Sequence, residues 1–506
     1  MLERVFIFLP PKDLKTVMLV CKRWNEVASV PKLWTWVVFR PGHSPDHDYD
    51  SMRRYGRGNG EDVGTDVELC LKMISLPRLQ AVREIQLHGR NLESGVKLTE
   101  PLLRKARSHP GLKKLEIHGC DVRTLKPKLL ASFLTKMEEV DISDIKMSFK
   151  QSGVFSTALN KTDKIKIFSW DDKCGTWEIC MIWLIATKKV EKLTLKGFIT
   201  TFWIQKLFKA LQEEDASVKS FSIDNWSSVN QIDPVLMSEA VARLEEADLG
   251  GCNLTTSQWT AICNAIRAGS KLKKLLVPRN NLGEVECSVF SGILQHLVEL
   301  DLGSTSLRAV QSEAIMLSVS TSPGKLKKLI LQGNDLERVD ATAIASAVTK
   351  IESLNIAKTE LSPKQAEEIF KVIARSPGVL KNLNMDSNNL REVDPKVMAE
   401  GVNKLEKVCF SDMPLLTQSQ MTMILTQALE KGTSLKELTI SPESRALSVF
   451  HADQMTKDQA LCSGLTVSMY NKLFPLHKLN FPQPVLIESE RVQTQQRITD
   501  YLKPTL

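Results

Sequence analysis

The sequence predicts an α/β solenoid, a curved parallel sheet inside with helices outside, preceded by a small all-α module. Three observations predict it. A phrase of the form Leu-x-x-Leu-x-Leu, followed by Asn or Cys and another aliphatic, keeps returning. It is clearest at Leu272, Leu275 and Val277 with Asn280 and Leu282, and at Leu326, Leu329 and Leu331 with Asn334 and Leu336. The phrase recurs about fourteen times at a mean spacing of roughly 27 residues, the mark of stacked repeats. Residues 1–40 have helical apolar spacing that does not fit this period.

In that first segment Leu2, Val5, Phe6 and Leu9 make one helical face, which Pro10 and Pro11 end. Asp13 can cap a second helix from Leu14 to Cys21, and Trp24, Val27, Leu33 and Trp34 suggest a third helix and a turn. Helices this short leave aliphatic surface uncovered, which marks a partner site. A plain amphipathic cap on the first repeat is the alternative. The run FLPPKDLKTVMLVCKRWNEVASVPKLW, with Leu9-Pro10, Asp13-Leu14, Val20 to Trp24 and Leu33-Trp34 in order, resembles the F-box. The resemblance implies docking on the Skp adaptor of a cullin-RING ubiquitin ligase. The docking residues would be Leu2, Phe6, Leu9, Pro10, Leu14, Val17, Val20, Cys21, Trp24, Leu33 and Trp34. The family usually opens with a Leu-Pro pair ahead of the position of Leu2, which this chain lacks. A short amino end or weakened adaptor binding is the expectation there.

Residues 41–66 are rich in Gly, Asp and Arg and read as a flexible linker. Ordering His43, Asp46, His47 and Asp48 around a metal would be costly, and no second cluster supports them, so no metal or cofactor is expected.

The repeats are expected over residues 67–442. Their first aliphatics are Val82, Leu112, Met137, a blurred copy near Ile165, then Val190, Val218, Leu244, Leu272, Leu297, Leu326, Ile351, Leu380, Leu405 and Leu435. Alternation within each phrase is the period of a strand with one buried face, and stretches such as Val339 to Val348 have helical spacing. Ordering one repeat costs about 1 to 2 kcal/mol per residue. Five or six buried aliphatics return only about 1.5 to 3 kcal/mol each, so single repeats cannot fold and neighbours must stack. From Leu244 onward longer and shorter spacings alternate, which resembles the ribonuclease-inhibitor type of leucine-rich repeat. With the amino-terminal segment, the whole resembles the leucine-rich class of F-box proteins. Asn280, Asn334, Asn388, Cys120 and Cys252 fall where a turn buried between repeats needs its backbone groups paired.

The third strand position, facing the concave surface, reads Glu84, Lys114, Glu139, Lys164, Lys192, Ser220, Glu246, Lys274, Glu299 and Lys328. A column of mixed sign suits a protein partner, whose charges it can match in register. A net charge of +8 over 506 residues, without a clustered basic stripe, disfavours nucleic acid as the direct ligand. Register nominates Glu84, Gln86, His88, Glu116, His118, Asp141, Asp248, Asp301, Asn355, Asn384 and Asp386 as the residues that meet the partner. Trp170, Trp177, Trp183, Trp203 and Trp226 cluster in sequence and read mainly as core beneath the helices, with Trp170 and Trp226 the members expected to reach the surface as a partner hot spot.

Residues 443–488 are expected to cap the repeats and 489–506 to form a polar tail. Gln495, Ile498, Tyr501 and Leu502 resemble a sliding-clamp (PCNA) interaction motif, which implies the clamp as a further partner. The ten cysteines contain no Cys-x-x-Cys pair, and neither a secretory leader nor a membrane span is evident. The chain reads as intracellular, in cytoplasm, nucleus or both. No constellation of nucleophile and base supports an enzyme. The expected function is substrate recognition for a Skp-cullin-F-box ligase, a protein substrate being held on the concave face. The alternative is a scaffold or inhibitor that uses the same face without a ligase.

Overall fold

A computed structural model of the chain describes residues 82–410 with short gaps, the segments 36–40 and 62–64, and parts of 417–440. The chain divides into two compact units, Met1–Leu272 and Lys273–Leu506. In the first, parallel strands run β1 (Trp36–Arg40), β2 (Asp62–Gly64), β3 (Glu84–His88), β4 (Lys114–His118), β5 (Glu139–Ser143), β6 (Ile167–Asp172), β7 (Lys192–Gly197), β8 (Ser220–Asp224) and β9 (Glu246–Gly250). In the second they are β10 (Lys274–Leu276), β11 (Glu299–Asp301), β12 (Lys328–Ile330), β13 (Ser353–Asn355), β14 (Asn382–Asn384), β15 (Lys407–Phe410) and β16 (Glu437–Ile440). Except for β1, which lies between β2 and β3, strands within a unit pair in chain order. Each unit is leucine-rich-repeat solenoid.

The repeat period sets this order. Each of the fourteen first aliphatics, from Val82 to Leu435, is buried, and each is followed two residues later by the start of a strand. Inside the strands burial alternates: in β4 and β5 the even members Leu115, Ile117, Val140 and Ile142 are buried and stacked in register, while their neighbours reach the open face. The blurred repeat differs from expectation. Ile167, not Lys164, stands opposite Glu139 and Lys192, so Lys164 leaves the column. The strands also reach further forward than residue 67. The β-branched, aromatic run Trp36–Arg40 pairs with β3, and Asp62–Gly64 pairs with its other edge, although these residues were expected in the helical module and the linker.

Helices cover one face of the strands. Two kinds alternate in the second unit. Helices of thirteen residues, Ala309–Thr321 and Pro363–Arg375, take turns with eight-residue helices, Ala341–Val348 and Pro395–Val402. The short ones start on Asp340 and Asp394, whose carboxylates accept from the first-turn N–H groups.

The turn between strand and helix holds the repeats together. Asn334 is buried. Its Oδ1 accepts from the N–H groups of Thr305 and Leu307 at 3.1 and 2.9 Å, and its Nδ2 donates to the carbonyls of Leu302 and Leu331 at 2.7 and 3.0 Å. Asn388 repeats this with Thr359, Leu361, Ile356 and Met385. The residue before it turns left-handed each time, as at Gly333 with φ 69° and Ser387 with φ 56°. At Gly333 a Cβ would also approach the Ser304 hydroxyl to 2.8 Å.

Trp170 and Trp226 are buried, 1% and 2% exposed, which overturns their expected place at the surface. Trp170 is an inward residue of β6 in register with Ile142 and Leu195, and Trp226 stacks on Trp183 with ring centroids 5.6 Å apart. They belong to the core. The metal candidates at 43–48, the cap, the tail with Gln495, Ile498, Tyr501 and Leu502, and the adaptor-docking residues all lie outside the described residues.

Candidate functional site

The face of the strands away from the helices carries the third, fifth and seventh positions of each phrase, most of them polar. In the first unit a cluster forms where β3, β4 and β5 run side by side. Lys114 reaches three carboxylates, Glu116 at 2.7 Å and Glu84 and Glu139 at 3.4 Å each. Gln86 donates to Glu84 at 2.6 Å. His118 Nε2 lies 3.5 Å from Glu116, and its Nδ1 contacts the hydroxyl of Ser143. His88 is placed opposite His118 by register.

The charges in this cluster hold one another. Burial alone pushes the Glu116 carboxyl up, but its bonds to His118 and Lys114 outweigh that and bring it down to about 2. Burial pushes the Lys114 ammonium down, and the bond to Glu116 and the charges of three carboxylates more than reverse it. Asp141, on the neighbouring strand, has no such relief. Burial raises its carboxyl, Glu116 adds to the rise, and His118, Lys114 and Lys196 offset part of it from a distance. A serine, a histidine and a carboxylate in a row is also the layout of a nucleophilic relay. Here the carboxylate is shared with Lys114 and a second acid lies beside it, so the cluster offers an array of fixed charges more than one activated hydroxyl.

Other nominated residues have structural work as well. Asp301, Asn355, Asn384 and Asp248 each accept from the N–H two residues on, at 2.8 to 3.1 Å, closing the turn where the strand ends. Asp248 also accepts from Ser222 at 3.0 Å, and Asn355 donates to Gln332 at 3.1 Å. Asp386 accepts from the Cys409 thiol at 3.3 Å. The structure thus gathers Glu84, Gln86, Glu116, His118 and Asp141 in one place in the first unit and leaves Asp301, Asn355, Asn384 and Asp386 in the second. Sequence reasoning missed Ser143, which lies one strand from His118 with no motif to announce it. It also missed a column of buried glutamines: Gln151, Gln258, Gln311, Gln365 and Gln420. Each donates from its side chain into two or three turn carbonyls of the preceding repeat, as Gln365 does to Leu336 and Val339 at 2.8 and 2.6 Å. The legible signal was the capping box Ser/Thr-x-x-Gln, present at Ser148, Thr255, Ser362 and Thr417.

Residues 1–40 match the F-box-like family. A stretch of 217 residues is 23% identical to the ribonuclease inhibitor of Mus musculus and 24% identical to that of Sus scrofa, covering 40% of this chain and 47% of each of those proteins. The chain thus resembles a leucine-rich-repeat F-box protein, with an F-box-like match ahead of repeats similar to those of ribonuclease inhibitors. It spans about half the length of the curated relatives it matches. Among the described residues, no helix is long and apolar enough to cross a membrane.

Proposed function

We propose that the chain is the substrate-recognition subunit of a Skp-cullin-F-box ubiquitin ligase. The observation that carries the reading is the F-box-like match at residues 1–40 directly ahead of repeats whose polar strand face is free of helices. In this reading Leu14, Trp24 and their neighbours dock on the adaptor, and the repeats, from Trp36 onward, hold a protein substrate. The chain acts by position. Holding the substrate raises the effective concentration of its lysines near a ubiquitin-charged conjugating enzyme, and no residue of this chain enters the chemistry.

The similarity to ribonuclease inhibitors supports a second reading, a scaffold or inhibitor that occludes a protein with the same face and recruits no ligase. Pulldown of purified Skp adaptor separates the two. The ligase reading expects capture by the full chain and its loss with Trp24→Ala plus Leu14→Ala. Capture that is absent, or unchanged in the double variant, leaves the inhibitor reading.

A further inference from the structure

The two units differ in the charge of their open faces. Across β3 to β9 the third, fifth and seventh positions carry eight carboxylates against three lysines, Lys114, Lys192 and Lys196. The same positions of the second unit, from Lys274 to Lys407, carry three carboxylates and three lysines. A net of five negative charges therefore stands on one face of a chain whose total is +8.

Within that face the carboxylates are not equivalent. Glu84, Glu116 and Glu139 share Lys114, and Asp248 is held by Ser222 and a backbone N–H. Among the described residues the Asp141 carboxylate makes no hydrogen bond or ion pair, although it is half-buried between β4 and β6 with Glu116 directly across from it in register. A carboxylate kept from water with no counter-charge in contact, its relief coming only at a distance from His118, Lys114 and Lys196, is held at a cost that an incoming cation would reduce. Opposite charges brought together across an interface also set register and speed encounter.

We propose that the open face of β3 to β9 seats a cationic segment of the partner protein, and that Asp141 anchors it by receiving a Lys or Arg side chain. This rests on the reading of the repeats as a protein-recognition arm and names the chemistry of what that arm takes. The same field repels nucleic acid phosphates.

The full chain is titrated with a fluorescein-labelled Lys-Gly-Ser repeat peptide, its Glu-Gly-Ser counterpart and a single-stranded oligonucleotide. Zero-length carbodiimide crosslinking then maps which carboxylates meet the lysines. The lysine peptide is expected to bind and the other two not. Asp141→Asn should weaken binding about tenfold and leave the unfolding midpoint unchanged or higher, since it removes a charge with no counter-charge in contact. Asp163→Asn, an exposed carboxylate off this face, should bind as the parent does. Crosslinks should fall on β3 to β9. Equal binding of the two peptides, preference for the oligonucleotide, an unaltered Asp141→Asn, or crosslinks centred elsewhere would each overturn the proposal. None of these readings needs the adaptor, so failure of the ligase reading shows separately in the adaptor pulldown.

Discussion

Replacing Asn334 by alanine removes five hydrogen bonds from a buried turn. Their losses are unequal. The Leu302 carbonyl keeps the Thr305 hydroxyl at 2.6 Å, and the Leu331 carbonyl keeps the N–H of residue 334 at 3.2 Å. The amide groups of Thr305 and Leu307 lose the partner that the side chain supplied. Each orphaned buried donor costs about 1 to 3 kcal/mol, so the substitution should destabilise the second unit by about 2 to 6 kcal/mol. Urea unfolding followed by far-ultraviolet circular dichroism measures this as a lower midpoint. Asn334→Cys should fall between the two, because Cys252 at the corresponding place of the first unit donates to carbonyls and offers the amides only a weak acceptor. Asp335→Ala, beside it and exposed, should change little. A destabilisation of Asn334→Ala no greater than that of Asp335→Ala would refute the idea that this column holds the repeats together.

Trp226→Ala should cost about 3 to 5 kcal/mol by opening a cavity against Trp183, read in the same unfolding experiment. The Glu116 carboxyl, at about 2 in the folded chain against an ordinary 4.5, stabilises the fold above its unfolded value and loses that contribution as pH falls from about 4.5 toward 2. Its share is on the order of 3 kcal/mol at neutral pH. Glu116→Gln should therefore flatten the acid limb of the stability curve, and an unaltered limb would show the contribution to be absent. A peptide of residues 490–506 should bind the sliding clamp if the motif at Gln495, Ile498, Tyr501 and Leu502 is functional. No binding at tens of micromolar, the range of weak motifs, would remove that partner.

The repeat frame was legible because its period is set by residues that must be buried: every first aliphatic, Val82 to Leu435, leads into a strand. The frame slipped where apolar residues crowd one another. In Ile165, Ile167, Phe168 and Trp170 the third position is itself apolar, so alternation no longer marks the open face. Trp226 was misplaced because it precedes the short 3-10 helix Ser227–Gln231, outside any periodic run, and only the fold brings it onto Trp183. The glutamines escaped notice because a polar residue on a helix reads as solvated, whereas Gln258 and Gln365 spend their amides on carbonyls of another repeat. At the candidate site, register placed Glu116, His118 and Asp141 on one face. It could not tell that Glu116 is tied directly to Lys114 while Asp141 feels Lys114, His118 and Lys196 only at a distance, since that depends on distances across strands. It also could not show that Asp301 and Asn384 close their own turns.

The central claim is that one end of this chain meets a ligase and the repeats meet its substrate. The most direct measurement is quantitative mass spectrometry of proteins co-purifying with the tagged full chain and with the Leu14→Ala, Trp24→Ala double variant. Point substitutions are preferable to removing residues 1–40, which would also take away strand β1. The account predicts that the adaptor and cullin disappear from the variant while at least one partner bound by the repeats remains. An adaptor retained by the variant, or absent from both samples, would contradict it.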